Sequence, residues 1–450
     1  MRCSSITLER MLIGSVLLFL LWLPLPIGSN RDWSAALLIF LCALLAIGWA
    51  INALRRNRDV GPTLKAGLPM FGLLVLCQFW VLLQWLGGVS VDTGATFQYL
   101  MLGCAYSLLF LLVTDLFRTR KRLSLLLGTL VVSGTFQAFF GVVMTLSGVE
   151  HLLIGSKTVY VGDATGTFVN RNHLAGYLEM TLACGIGLLL ALRDERQFRW
   201  VNLLETLLGP KARLRLALVM MTIALVMSHS RMGNAAFFVS LLLVGGLFVL
   251  VTKEHRLRNS VILGSLLLID MLVVSQYFGL DKLVDRMAST QFENVLVDGQ
   301  TAARANEMRD NVFAAALPLA RECLFTGHGA GSFEVVFPKA AGADITQHFD
   351  HAHNDYLQFI IEYGLLGSLP LLAFVIYGLY HAQRAMWQHE SVYRSGVGFG
   401  ASLGILTLLI HSLADFNLQI PANAATYVVI CAVGVLANNH FRERRARARS

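Results

Sequence analysis

Apolar residues in this chain come in long, nearly unbroken runs rather than in alternating stripes. About twelve such runs approach the roughly 20 residues that a helix needs to cross a bilayer, at about 11–29, 33–53, 66–87, 97–117, 123–147, 173–192, 214–229, 232–252, 260–280, 353–381, 395–414 and 422–439. Strands of a membrane barrel would instead show short segments of period two, and none stand out. The pattern predicts an all-α polytopic membrane protein of about twelve transmembrane helices. Between the runs, most connections are brief. Two are long and polar, at about 148–172 and 281–352, and the second is too long to read as a passive connector. Within it, 301–323 reads as one or two amphipathic helices interrupted near Pro318, followed by the turn Gly327-His328-Gly329-Ala330-Gly331.

The chain therefore divides into 1–150 (helices one to five), 151–280 (helices six to nine), 281–352 (a helical outer loop) and 353–450 (helices ten to twelve with a basic tail). With both ends in the cytoplasm, 26 of the 36 lysines and arginines face inward, and six of the remaining ten sit in the long loop, where the positive-inside rule has little force. The formal charge of +8 is then mostly topology, which argues against a nucleic-acid surface. Pro24 and Pro26 late in the first run, with no small-residue cleavage site, read the N-terminus as a first span rather than a cleavable signal. Seven scattered cysteines, with only Cys323 clearly outside, predict no disulfide framework.

Four outward clusters carry candidate chemistry: Asn170-Arg171-Asn172-His173, Ser228-His229-Ser230-Arg231, Arg304 and Arg309 around Glu307, and His351-Ala352-His353-Asn354-Asp355. On a helix beginning at His353, Leu357, Ile360, Gly364 and Gly367 share the histidine's side, and Asp355 and Glu362 take the other. Guanidinium groups offer paired donors to a diphosphate, and an imidazole can take a proton from a hydroxyl near neutral pH. Converging, they suit attack by an acceptor hydroxyl on a sugar borne by a diphosphate lipid. Taken singly, Arg171 and Arg231 equally suit side chains reaching up to headgroups, and Arg304 a solvated helix face. Glu362, Asp270, His411 and Asp415 lie in or near spans, where ionisable groups are costly; they fit functional relays or helix-packing hydrogen bonds. The histidines of 348–353 lack a cysteine or HExxH pattern, so no metal site is expected.

His353-Asn354, nine residues, Gly364, two residues and Gly367 resembles the signature of the O-antigen ligases. Ser230-Arg231 is similar to a motif between two central spans of the wider O-antigen ligase and polymerase superfamily. So are the stretch from Gly166 to His173 and the pattern Arg309, Pro318, Gly327-His328-Gly329-Ala330-Gly331-Ser332-Phe333. The likeness covers about 166–420. It implies a GT-C-like membrane glycosyltransferase, inverting and metal-independent, without a cofactor, in the bacterial inner membrane with its site facing the periplasm. The donor would be a glycan on undecaprenyl diphosphate, and the acceptor lipid A-core in a ligase or a growing polysaccharide in a polymerase. Carried over by motif, His353 is the general base, Arg231 and Arg309 grip the diphosphate, and Arg171 is a further phosphate or headgroup contact. Asn354, Asp355, His351 and Ser230 are possible auxiliaries. A protein O-glycosylase would share this chemistry. A transporter using Glu362, Asp270 and Asp415 as relays fits less well, because the polar clusters gather at one surface.

Overall fold

The protein is described by a computed structural model covering residues 2–56, 60–153, 155–192, 209–251, 308–342, 348–388 and 391–449, together with 256, 260, 263–264, 296–297, 300–301 and 345. Its helices are α1 (Arg2–Trp22), α2 (Asp32–Arg56), α3 (Pro62–Leu86), α4 (Thr93–Leu116), α5 (Arg120–Ser147), α6 (Arg171–Ala191), α7 (Pro210–Met227), α8 (Arg231–Val251), α9 (Met308–Glu322), α10 (Phe333–Val336), α11 (Asp355–Met386), α12 (Val392–His411) and α13 (Pro421–Arg449). Among the described residues, nine of these (α2–α6, α8 and α11–α13) are long and apolar enough to cross a membrane. This is an all-α, multi-pass membrane protein. The predicted runs at 11–29 and 214–229 are α1 and α7, whereas all of 260–280 except 260, 263 and 264 lies outside the described residues. The strand content among the described residues is one two-residue antiparallel pair, Leu296–Val297 with Gln300–Thr301.

Lipid offers no partner for a bare peptide group, so each span satisfies its own backbone and then packs on its neighbours. Polar caps mark several helix starts: Asp92 accepts from Ala95 N–H at 3.0 Å, and Asn170 from Asn172 N–H at 2.8 Å. The apolar part of α13 and all of α6 after Arg171 are buried, with α12 packed along α6. That packing is tight because glycines face each other: a Cβ on Gly187 would lie 2.7 Å from Gly400 Cα. The outer faces of α2 and α3 display Ile47, Leu54, Leu76 and Phe79, as a lipid-facing surface should.

Two irregular segments shape one end of the bundle. The 148–170 connection is pinned by a Lys157–Glu150 ion pair at 2.5 Å, by Ala164 N–H donating to Met227 O at 2.9 Å, and by Thr167 N–H donating to Gln137 Oε1 at 2.8 Å. The second segment, 324–331, inserts into α11. That helix begins at Asp355, not His353, and is interrupted at Gly364 (φ 60°, ψ −175°). The expected single face running from His353 through Gly364 is therefore not continuous. The interruption frees backbone groups, and the loop satisfies them: Leu365 N–H donates to Leu324 O at 2.8 Å, His328 N–H to Ile361 O at 2.9 Å, and Gly329 N–H to Glu362 O at 3.0 Å. Trp80 and Gln84 of α3 close the remaining carbonyls of Tyr363 and Glu362. The expected break at Pro318 is absent; α9 continues through it, because a proline removes one amide donor without forbidding a helix whose exposed face can hydrate the orphaned carbonyl.

Candidate functional site

At the end of the bundle where α6, α8, α11 and α13 begin, three imidazoles surround one phenyl ring. His351 stacks on Phe416 with ring centroids 4.3 Å apart, and His173 and His353 meet the same ring edge-on at 4.7 and 4.8 Å. Phe349 flanks His353 at 6.1 Å. His353 takes a left-handed backbone conformation, φ 51°, which costs a side-chain-bearing residue roughly 1–2 kcal/mol and is held here by the elements on either side. The clamp beneath it is explicit. Asn354 caps α11 by accepting from Leu357 N–H at 3.0 Å, and its Nδ2 donates to Leu413 O at 2.9 Å. Asp355 is buried and accepts from Ser412 Oγ at 2.7 Å, Leu418 N–H at 3.1 Å and Gln419 Nε2 at 3.3 Å. A carboxylate with three donors at a helix N-terminus ties α11 to the α12–α13 turn and complements the helix dipole. Asn354 and Asp355 thus position the preceding histidine.

The arginine side is organised by a residue that the motifs did not single out. Asp163 accepts from Arg171 Nη1 at 2.7 Å through one oxygen and binds His229 Nδ1 at 2.5 Å through the other. Burial alone would raise its carboxyl, but the His229 hydrogen bond and the Arg171 guanidinium outweigh that and hold it below its ordinary value. Arg171 also lies over Tyr160, 5.4 Å from the ring centre. The first two clusters are thereby joined, and Arg171 and His173 occupy the same first turn of α6. Ser230 is buried and caps α8, its Oγ accepting from Gly233 N–H at 3.2 Å, and it leaves Arg231 exposed at the helix N-terminus. Gly233 lets α8 approach α6: a Cβ there would sit 2.7 Å from Glu179 Oε1. Glu179 pairs with His411 at 2.9 Å, both fully buried. Arg309 falls in the first turn of α9, its side chain outside the described residues; Arg304, Glu307 and Asp270 also lie outside them. From Val312 onward α9 packs with Ala352, Phe333 and Ile361, placing its body against α11.

Of the remaining sequence candidates, His328 clasps the interruption of α11 through Nδ1 to Ile361 O at 3.1 Å, and His348 pairs with Glu334 at 2.8 Å. Glu362 accepts from Gly331 N–H, Phe333 N–H and Gln358 Nε2. An apolar cavity of about 260 Å³ adjoins this region, lined by Tyr99, Tyr356, Phe359, Tyr363, Gln419 and Tyr427 among others; Arg171 and Arg231 are not in its wall.

Residues 216–372 match the family model described as O-antigen ligase. Over that stretch the chain is similar to the O-antigen ligases, which supports the O-antigen ligase and polymerase superfamily. The matched stretch runs from α7 into α11 and so contains Ser230, Arg231, Arg309 and His353, while Asp163, Arg171, His173 and Phe416 lie outside it. The comparison with curated proteins gave no match. The match supports activity of the ligase or polymerase type in general. Asp163, Phe416, Gln358 and Glu179 escaped the sequence reading. Only Glu179 carried a signal there, as an acid within an otherwise apolar run.

Burial holds His351 below the ordinary imidazole value, against the opposing pull of Asp350, Glu334 and Asp415. A depressed folded value means that its stabilising contribution is complete above about pH 6.5 and is lost as pH falls through the folded midpoint. A thermal-melt series should therefore show stability falling on acidification below about pH 6.5, and His351→Gln should flatten that limb.

Proposed function

We propose that this protein transfers a glycan from undecaprenyl diphosphate to an acceptor hydroxyl at the outer face of the bacterial inner membrane, as an O-antigen ligase acting on lipid A-core. The observation that carries the reading is the gathering of His353, His351 and His173 on Phe416, with the Arg171–Asp163–His229 triad at the same first turn of α6 as His173. His353 accepts the proton of the acceptor hydroxyl. The oxygen attacks the anomeric carbon, the bond to the diphosphate breaks with its electron pair on the departing phosphate oxygen, and the configuration inverts. Arg231 and Arg309 bear the growing phosphate charge, with Arg171 as a further contact. Each step runs on protein groups alone, so the reaction is read as metal-independent. Asp355 is a poor substitute base because three donors already occupy its oxygens. The apolar cavity next to Tyr356 offers room for part of the isoprenoid.

Purified protein in lipid nanodiscs, given an undecaprenyl-diphosphate glycan and lipid A-core, should release undecaprenyl diphosphate and glycosylate the core with EDTA present. Loss of turnover in EDTA overturns metal independence, and elongation of the lipid-linked glycan in place of core transfer identifies a polymerase. Arg231→Lys should lower kcat/KM tenfold or more, since an ammonium lacks the guanidinium's paired donors, a difference of about 1.4 kcal/mol. Asp163→Asn, which frees both Arg171 and His229, should raise the donor KM roughly tenfold by removing charge-assisted bonds. Initial rates against donor concentration decide both.

A further inference from the structure

The backbone settles the orientation of the Gln358 amide. Ala352 N–H donates to its Oε1 at 3.1 Å, which identifies the carbonyl end of the amide. The NH2 end then has two hydrogens and two acceptors, Glu362 Oε1 at 3.0 Å and His351 Nδ1 at 2.9 Å. Glu362 is itself held by Gly331 N–H at 3.0 Å, at the end of the glycine turn, and by Phe333 N–H at 3.3 Å, just after it. An amide NH2 can only donate, so His351 Nδ1 must offer its lone pair, and the proton of the neutral ring sits on Nε2. The loop's backbone thus dictates an imidazole tautomer through one carboxylate and one amide.

We propose that Glu362 and Gln358 form a positioning relay that holds His351 as a neutral imidazole, whose Nε2–H donates to a hydroxyl of the acceptor sugar next to His353. This rests on the glycan-transfer reading above. A neutral ring is what the neighbouring base requires. His351 and His353 touch the same phenyl ring, and a cation on the first would disfavour protonation of the second, weakening it as a base. The burial that depresses His351 acts in the same direction as the relay. Sugar hydroxyls accept readily from a neutral N–H, so His351 orients the acceptor while His353 takes its proton. Glu362 and Gln358 act through His351.

Nitrogen NMR of the full chain in nanodiscs, labelled with 15N-histidine and with His351 assigned by the signal lost in His351→Gln, reads the tautomer directly. The wild type should show a neutral Nε2–H ring at about pH 6.5. In Gln358→Glu a carboxylate can only accept, so the proton should move to Nδ1; Gln358→Met, which cannot donate at all, should give mixed or protonated signals and covers the case in which the acid does not fold. An unprotonated Nδ1 persisting in either variant overturns the relay. Adding core oligosaccharide freed of lipid A should shift the His351 Nε2 signal, and Gln358→Met should raise the acceptor KM about tenfold with the donor KM unchanged. A wild type that transfers glycan without that shift sinks the acceptor contact. One that shows the shift and transfers nothing sinks the transfer reading and leaves the hydroxyl site standing, and absence of both sinks both.

Discussion

His353→Ala lowers turnover by about 10²–10⁴-fold, the contribution expected of a positioned general base. The loss falls equally on kcat and on kcat/KM for the acceptor, because the proton transfer exists only in the transition state. His353 precedes the first turn of α11, so the helix and its Asn354 cap survive the truncation. Alanine is not neutral at φ 51°, however, and adds roughly 1–2 kcal/mol of backbone cost. His353→Asn separates the two effects, since asparagine tolerates the left-handed region yet cannot take a proton at neutral pH. Both variants should be inactive, with Asn melting closer to wild type. Activity retained in His353→Asn moves the base to His351, the other imidazole stacked on Phe416.

How much of this was legible in the sequence depends on the range over which each interaction acts. The spans were readable because burial in lipid imposes a local length and an apolar composition, and eleven of the twelve expected runs coincide with described helices. The Ser230-Arg231 pair was readable as a motif, and its form follows from a local rule: the serine caps the helix and the arginine occupies the first turn. The partnership of Asp163 with Arg171 and His229 was not, since it joins residues 66 positions apart through a loop with no periodicity. Phe416 looked like one apolar residue among many, and its value comes only from the three imidazoles that two other segments bring to it. The interruption of α11 was hidden for a different reason. Gly364 and Gly367 at that spacing also describe helix-to-helix approach, and Gly367 does meet Trp80 of α3, whereas Gly364 makes room for a loop.

Gly364→Ala should be the most damaging single substitution outside the chemical groups. Its φ of 60° and ψ of −175° fall in a region open essentially to glycine alone, at a cost of about 1–3 kcal/mol for any other residue. Space adds to the penalty: a Cβ would lie 2.3 Å from Phe325 O, which is backbone and already accepts from Leu366 N–H at 3.2 Å. Gly327 is the mirror of the problem, since a Cβ there would lie 2.2 Å from Glu362 O. Neither chain can retreat without stranding the amides and carbonyls that the interruption freed, and at membrane depth each stranded group costs several kcal/mol. Gly364→Ala and Gly327→Ala should therefore both lower folded yield and melting temperature sharply. Gly72→Ala on α3, where nothing lies within 4 Å of the added atom, should stay within about 0.5 kcal/mol of wild type. Any Gly364→Ala protein that does fold should also be slow, because the displaced loop carries the Gly331 and Phe333 amides that hold Glu362. A melting curve and transfer rate equal to wild type would mean that the loop does not occupy the interruption in α11.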